Sequence, residues 1–357
     1  MIFSIFLFIP IMLLMAAMPY LTRKTESFGV GIPSDVYDSE ALQRMRKRYG
    51  WQTLALGIVF IIIASFSTKS AFYIVYPITL CAFIVGSFLI YLAYHRKMKA
   101  LKTESRWTEQ MKAVVAVDTR FRHQKMTVSH AWFFIPFAIA VITFVLTFIF
   151  YDQFPAKFPM HYDFDGTVTT WADKSYRTLL LFPLLQLFMT GLFLFINVII
   201  AKSKQSLDPT DPKASAYQNI TFRYRWSMYS FLSGTMIVLL FAFAQLSFAI
   251  SMPSAIVMSV PFVVVTFIVC GAFVLSFTTG QGGSRVHSTP EEKSGKMQRD
   301  EDRYWKLGQF YFNPNDPAIF VEKRFGIGWT VNFAHPAGWG FLAAIIVVIV
   351  LLQIFVS

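Results

Sequence analysis

Charged residues are scarce in this sequence and are missing from its longest apolar stretches. Asp, Glu, Lys and Arg make up 15% of the 357 residues. A soluble chain of this length has roughly a quarter of its residues charged. Hydrophobic residues account for 55% of the chain, so there is too little polar surface to coat a water-soluble fold. The scarcity of charge therefore excludes an ordinary soluble domain.

The apolar residues are grouped in long blocks that contain no Asp, Glu, Lys or Arg. A helix needs about 20 mostly apolar residues to cross the hydrocarbon core, and each block is close to that length. One buried soluble helix could produce such a block, but this many could not. The sequence predicts an all-α membrane protein with eight transmembrane helices, at residues 2–18, 51–66, 71–94, 132–150, 179–201, 228–250, 252–277 and 338–356.

Basic residues are confined almost entirely to every second loop. All but four of the 32 Lys and Arg residues follow the first, third, fifth or seventh block; the exceptions are Lys69, Lys157, Lys174 and Arg177. Positive loops mark the cytoplasmic side of a membrane protein, so both termini are predicted to be extracytoplasmic. The net charge of +12 is therefore explained by loops that face the lipid bilayer, without a nucleic acid partner.

Cysteine is almost absent, and so are the signatures of common enzymes. Cys81 and Cys270 both lie within apolar blocks and provide neither a disulfide framework nor a metal set. The sequence contains no His-Glu-x-x-His, Gly-x-Ser-x-Gly or phosphate-binding loop, and no block carries an acidic proton relay. We therefore expect a non-enzymatic protein without a metal or cofactor. The polar side chains Gln186, Asn197 and Gln245 are expected to bond between helices.

The first basic loop has helical periodicity. Ser34 or Asp35 could cap a short helix with Leu42, Met45 and Tyr49 on one face. Its basic residues would then lie against the anionic inner leaflet. The plainer alternative is an ordinary basic segment next to the membrane.

The loop at residues 151–177 is the only sizeable one on the predicted outer side. His161, Asp163 and Asp165 alternate there, so an extended backbone would place them on one face, where they could hold a divalent cation. A calcium loop is not completed, because the required Glu is missing. The favoured alternative is a hydrogen-bonded turn at residues 165–166. The candidate ligand-binding residues are His161, Asp163, Asp165, Gly166, Trp171 and Lys174.

The last basic loop divides into two parts. Residues 278–299 are rich in Gly, Ser and charge and predict a flexible linker. Residues 300–335 predict a small cytoplasmic module, because strand-like segments alternate with turn residues. The expected fold of this module is a three-stranded β meander with strands at 309–313, 319–324 and 329–333. Gly326 and Gly328 are expected to form its second turn, which needs either positive φ or close approach of the chain. A seven-helix region at 1–277 precedes these parts, and a final transmembrane helix at 336–357 follows them.

Two segments resemble known bacterial families. Pro159-x-His161, followed by Gly166, Trp171 and Lys174, resembles the signature of SdpI-like membrane proteins, a group that includes toxin-immunity and signalling proteins. The second segment resembles a bacterial domain of unknown function that is often found on such proteins. It runs from residue 302 to residue 333 and includes the module residues Trp305, Gly308, Tyr311, Asn313, Gly328, Trp329 and Asn332.

The resemblance implies a multi-pass protein of the bacterial cell membrane. It would bind an extracellular ligand, such as an antimicrobial peptide or toxin, and would signal or give immunity through a cytoplasmic protein partner. The alternative is a transporter of a small or lipid-like solute. Transport requires a polar cavity lined by Gln186, Asn197 and Gln245, and pairwise bonding of these residues would argue against it.

Overall fold

The computed structural model describes residues 2–66, 69–107, 124–162, 167–207, 211–250, 252–287 and 301–356. This part of the chain is mostly helical and contains eight α-helices. Each predicted apolar block overlaps one of them, which confirms the helical assignment. The helices are α1 (Ile2–Leu21), α2 (Glu40–Ser65), α3 (Lys69–Glu104), α4 (Phe134–Ile149), α5 (Tyr176–Lys202), α6 (Pro212–Ala249), α7 (Ser254–Thr279) and α8 (Pro336–Val356).

Six of these helices, α2 to α7, are long and apolar enough to cross a membrane. The other two, α1 and α8, are also apolar. Their portions with described side chains, Phe8–Leu21 and Pro336–Val347, are shorter than a span. The chain is therefore a multi-pass membrane protein. Length and composition support six spans, whereas the sequence predicts eight.

The chain separates into two compact units, and neither is continuous in sequence. Unit 1 comprises Met1–Lys125, Ser203–Arg223 and Phe273–Trp339. Unit 2 comprises Met126–Lys202, Tyr224–Ala272 and Gly340–Ser357. The residues predicted to form the cytoplasmic module belong to unit 1, and the loop at 151–177 belongs to unit 2.

Unit 1 has an aromatic core next to its first β-hairpin. This hairpin consists of β1 (Glu26–Ser27) and β2 (Val30–Gly31). Phe28, in the turn between them, is fully buried. Its ring centroid lies 5.3 Å from that of Tyr94 in α3 and 6.0 Å from that of Phe325. Aromatic contacts of this kind join segments that are distant in sequence.

The short amphipathic helix predicted in the first basic loop is not a separate element. Ser34–Val36 form a single 3-10 turn, and α2 begins at Glu40 and continues to Ser65. Leu42 and Tyr49 are buried in the aromatic core of unit 1. The apolar face therefore packs on protein, including residues of α3 such as Tyr94 and Met98.

In the predicted three-stranded meander, the pairing of the second strand with the third is confirmed, and the pairing of the first strand with the second is wrong. The structure has two antiparallel hairpins, β5 (Trp305–Lys306) with β6 (Phe310–Tyr311), and β7 (Phe320–Glu322) with β8 (Trp329–Val331). The first predicted strand turns back onto residues 305–306 through Leu307 and Gly308, which both have positive φ. Strand periodicity alone does not reveal that turn. A parallel bridge between Tyr311 and Asn332 joins the two hairpins.

The first part of the predicted flexible linker is packed against this module. Gln281, Gly282 and Gly283 are buried directly after α7. The Gln281 side-chain amide donates to the carbonyl oxygens of Lys323 and Gly328, both at 3.0 Å, and its oxygen accepts from the Gly328 N–H at 2.7 Å. The Gly-rich sequence thus provides a tight turn. Residues 288–300, the rest of the predicted linker, lie outside the described residues.

Unit 2 contains α4, α5 and the hairpin formed by β3 (Lys157–Tyr162) and β4 (Val168–Asp173). The side chains of Gln186 and Gln245 are buried, and each donates a hydrogen bond to a neighbouring helix, as the sequence predicts. Gln186 donates to the Val238 carbonyl oxygen at 2.9 Å, and Gln245 donates to Thr147. These bonds give a partner to amide donors whose burial without one would be costly in lipid.

Candidate functional site

The β3–β4 hairpin carries the residues predicted to bind a ligand. His161 lies in β3 opposite Thr170, at an irregularity in the register. The side chain of His161 lies outside the described part of the structure, and so do Asp163, Asp165 and Gly166. Their predicted roles as ligand-binding residues and the choice between a turn and a metal site therefore stay predictions.

Lys174 secures the base of this hairpin. Its ammonium group donates to the Phe154 carbonyl oxygen at 3.0 Å and to the Asp152 carbonyl oxygen at 3.3 Å. It also lies 4.8 Å from the centre of the Tyr151 ring, within the range of a cation–π contact. Lys174 thus ties the end of β4 to the segment that precedes β3.

Trp171 and Phe158 divide the hairpin into an exposed and a buried face. Trp171 is 58% exposed, whereas Phe158 is fully buried. The Phe158 ring stacks on Phe248 of α6, with 4.6 Å between the ring centroids. The hairpin is therefore anchored through Phe158, and Trp171 is available at its surface.

The predicted module residues are brought together around Asn332. The Asn332 side chain is fully buried. It donates to the carbonyl oxygens of Asn313 at 2.9 Å and Asp316 at 3.2 Å, and it accepts from the Asn313 N–H at 3.1 Å. Asn313 in turn donates to the Tyr311 hydroxyl at 3.1 Å. These bonds hold the Asn-Pro-Asn-Asp turn in one conformation.

Charge at the edge of this turn is balanced by Lys204, which follows α5. Its ammonium group lies 2.7 Å from an Asp316 carboxylate oxygen, and the Tyr311 hydroxyl donates to the same carboxylate at 2.7 Å. Burial raises the pKa of Tyr311 to about 12, with Asp316 adding to the effect. Tyr311 therefore remains a hydrogen-bond donor at neutral pH.

Gly308 and the two tryptophans fix the module within unit 1. A side chain at Gly308 would clash with the Tyr91 hydroxyl and the His95 ring. Trp305 is buried beside Tyr311, and the Trp329 ring lies 5.1 Å from that of Phe222 in α6. The residues predicted for this module thus pack against one another and against α3 and α6.

A network of charges, which the sequence does not predict, joins the module to α6 and to the segment after α1. The Glu322 side chain is fully buried and accepts hydrogen bonds from Arg223 and Asn219 of α6, both at 2.8 Å. Arg23, which follows α1, also pairs with it. Arg223 is itself only 1% exposed and donates to the Ser203 carbonyl oxygen at 3.2 Å. Buried charges of this kind are stable only when fully paired.

Asp302 forms the second centre of this network. Its carboxylate accepts from the Lys102 ammonium group at 2.7 Å and from the Gly31 N–H at 3.0 Å, and it also pairs with Arg324. Burial by itself would raise the pKa of Asp302, but Arg324 and Lys102 outweigh it and hold the pKa below its ordinary value. Asp302 is therefore a carboxylate at neutral pH.

The pKa of Glu26 shifts in the opposite direction to that of Asp302. It lies in the β1–β2 hairpin, 3.9 Å from Arg23 and 3.7 Å from Arg324. Burial raises the pKa of Glu26 above its ordinary value, although both arginines lower it. Its longer contacts compensate the loss of hydration less well than the short ones around Asp302.

Two family models match parts of this chain. Residues 138–187 match a Domain of unknown function (DUF1648). Residues 314–339 match a Family of unknown function (DUF5808). The comparison with curated proteins gives no match, and neither does the comparison with solved structures.

The two matches fall on the two regions where the sequence resembles bacterial families. One covers most of α4, the β3–β4 hairpin and the start of α5, and the other covers the second half of the module. Neither description carries a function, and the resemblance to SdpI-like proteins stays a prediction. The chain is similar to two families of unknown function, one in each of its units.

Proposed function

We propose that this protein is a non-enzymatic membrane receptor that binds a ligand at the β3–β4 hairpin and reports through the C-terminal module. The distribution of basic residues supports an extracytoplasmic hairpin and a cytoplasmic module. Both regions are built on buried residues, Phe158 in the hairpin and Asn332 in the module. Each therefore has a defined shape that a ligand or partner could recognise.

The observation that carries the proposal is the set of contacts made by α6. Near its C-terminal end, Phe248 stacks on Phe158 of the hairpin. In its N-terminal part, Asn219 and Arg223 bind Glu322 of the module. The helix between them is apolar and long enough to cross a membrane. A displacement of α6 caused at the hairpin would change the hydrogen bonds at Glu322, which is a physical route for coupling two sites.

The chemistry of the hairpin favours a cationic peptide as ligand. Asp163 and Asp165 place two carboxylates in the connection between β3 and β4, and the exposed Trp171 offers an aromatic surface. Acidic residues and an exposed aromatic side chain in one short segment of sequence complement a cationic, amphipathic peptide. An antimicrobial peptide or toxin of this type is also what the resemblance to SdpI-like proteins implies.

Binding can be tested with the full-length protein in nanodiscs and a panel of cationic amphipathic peptides. We expect at least one peptide to bind, and Asp163→Asn with Asp165→Asn to weaken that binding by about ten-fold. Lys157→Gln, at the base of the hairpin, is the matched control. Failure of every peptide to bind, together with unchanged peptide sensitivity of a deletion strain, would contradict the proposal.

Reporting can be tested separately with a fluorophore on Asn315→Cys, after both native cysteines are replaced by Ala. A bound peptide should change the fluorescence of this probe. Asn219→Ala removes one hydrogen bond to Glu322, so it should reduce the response while leaving peptide binding intact. Gln218→Ala is the control, because Gln218 bonds to the Val286 carbonyl oxygen. Equal responses in both variants would argue against coupling through α6.

The bonding of the polar helix residues counts against the alternative of a transporter. Gln186 and Gln245 are bonded to Val238 and Thr147. Asn197 donates to the Val128 carbonyl oxygen at 3.1 Å and accepts from Ser227. A solute pathway lined by these residues would have to break the bonds that stabilise the bundle.

A further inference from the structure

A cavity of about 350 Å³ lies in unit 1. We propose that it binds a phosphate-type oxyanion, carried on the headgroup of an anionic lipid or free in solution. The volume lies at the lower end of the range for small-molecule sites. Its walls come from Tyr20 of α1, the first two turns of α2, the segment before α2, and Ser284 and Arg285 after α7.

The lining of this cavity is strongly basic. Lys24, Arg46, Lys47 and Arg285 line it, and Asp38 is its only acidic residue. Asp38 pairs with Lys24 at 3.3 Å, and both side chains are well exposed, so this ion pair is weak. The excess of positive charge favours an anion.

Arg46 gives the strongest indication of a ligand. It is only 3% exposed. Its two terminal nitrogens both donate to the Tyr37 carbonyl oxygen at 2.9 Å, and its guanidinium carbon lies 4.1 Å from the centre of the Tyr37 ring. Among the described residues, no carboxylate lies within ion-pair distance of this guanidinium. A buried charge without a counter-ion is costly, and a bound oxyanion would supply one.

Two buried hydrogen-bonding groups in the lining also have no partner among the described residues. They are the Arg46 Nε and the Ser284 hydroxyl oxygen. Buried polar groups are bonded in most structures, so each exception calls for an explanation. An N–H of arginine and a hydroxyl are both donors to phosphate oxygens. Both residues line the cavity, so a bound oxyanion would balance the charge of Arg46 and would give these two groups a partner once their side chains turn toward it.

The position of the cavity suits a lipid headgroup. It lies where the apolar helices α1 and α7 end and α2 begins. Arg285 also donates to the Tyr20 carbonyl oxygen at 3.2 Å and holds the two helix ends together. Tyrosine and basic residues at the ends of spanning helices occur at headgroup depth, and basic pockets there bind anionic headgroups.

The test uses the full-length protein in nanodiscs of phosphatidylcholine that contain a minor fraction of phosphatidylglycerol, with bound lipid measured by native mass spectrometry. We expect phosphatidylglycerol to be retained selectively. Lys47→Gln should weaken retention about five-fold, the factor that corresponds to about 1 kcal/mol per basic residue near an anionic surface. Arg46→Gln should weaken it at least as much. Arg44→Gln is the control, because Arg44 pairs with Glu40 and does not line the cavity.

A second arm separates the two sources of the oxyanion. Inorganic phosphate and glycerol phosphate are added to protein in pure phosphatidylcholine, and the melting temperature is followed. A rise that is lost in Lys47→Gln but kept in Arg44→Gln would assign the site to a soluble phosphate. Selective retention of phosphatidylglycerol without such a rise would assign it to a lipid. If neither anion binds, or if Lys47→Gln and Arg44→Gln behave alike, the proposal is wrong.

Discussion

Two buried carboxylates, Glu26 and Glu322, and the half-buried Asp302 are surrounded by basic side chains in unit 1. They come from segments that are far apart in the sequence, so their pairing depends on the folded chain. Glu322 is the most deeply buried of the three, and two of its partners lie on α6. Replacing one member of such a set is more costly than replacing an exposed ion pair, because it leaves opposite charges buried without a partner.

Glu322→Gln should therefore destabilise unit 1 by about 3–5 kcal/mol. The measurement is the rate at which a thiol reagent labels a cysteine placed at the buried position Val321, with Cys81 and Cys270 replaced by Ala. This rate reports the free energy of local opening. Glu40→Gln, which breaks the exposed pair with Arg44, should cost less than about 1 kcal/mol. Equal labelling rates in the two variants would show that Glu322 is not a centre of the fold.

Asp302 predicts how this stability depends on pH. Its pKa in the folded protein lies below the ordinary value of 3.8. The stability that it contributes is therefore fully present above about pH 4 and is lost as the pH falls through the lower, folded-state pKa. Asp302→Asn should destabilise unit 1 by a constant amount at neutral pH, and the difference from wild type should shrink below about pH 4. A difference that persists undiminished in acid would rule out the charge as its cause.

The β7–β8 hairpin is stabilised by its turn and by a side chain from outside it. Gly326 and Gly328 both have φ of 101°, as the sequence predicts. The open space around Gly328 shows that backbone conformation, and not crowding, selects glycine there. Gln281 then bonds to both the N–H and the carbonyl oxygen of Gly328. A local turn and a distant amide thus specify the same conformation.

Gly328→Val should destabilise this hairpin by about 1–3 kcal/mol, because a β-branched residue is strained at positive φ. The labelling rate of a cysteine at Val321, on the facing strand β7, would rise accordingly. Gly340→Ala is the control, since Gly340 lies in α8 and an added Cβ there would meet no atom within 4 Å. Its effect on the same rate should be small. An unchanged rate in Gly328→Val would contradict the requirement for glycine.

The whole chain is a multi-pass membrane protein, and its orientation is still a prediction from the distribution of basic residues. Single cysteines at Ser206, Asn315 and Thr169 would test it in a chain without Cys81 and Cys270. In intact cells, an impermeant thiol reagent should label Thr169→Cys in the β3–β4 hairpin. Ser206→Cys and Asn315→Cys should be labelled only after the cells are opened. Labelling of either one in intact cells would reverse the assigned orientation.

Some features of the fold could be predicted from the sequence because they depend on local chemistry. Each apolar block forms a helix because it must satisfy its backbone hydrogen bonds internally in lipid. The turn at residues 326–328 needs positive φ whatever surrounds it, so Gly326 and Gly328 could be assigned from sequence. The bonding of Gln186, Asn197 and Gln245 between helices was also predictable, since amides in an apolar segment have few other partners.

The sequence by itself determined the class of protein, the helical blocks and the glycine-dependent turn, because each depends on residues within one short segment. Only the tertiary structure decided that residues 281–283 form a buried turn bonded to the β7–β8 hairpin, and that the predicted 309–313 strand pairs with residues 305–306. It also decided which charges are buried. In the sequence, Arg23, Arg223 and Glu322 are ordinary charges in basic loops. They acquire their energetic importance when folding brings them together and removes water, since a charge interacts far more strongly with its neighbours inside a protein than in solution.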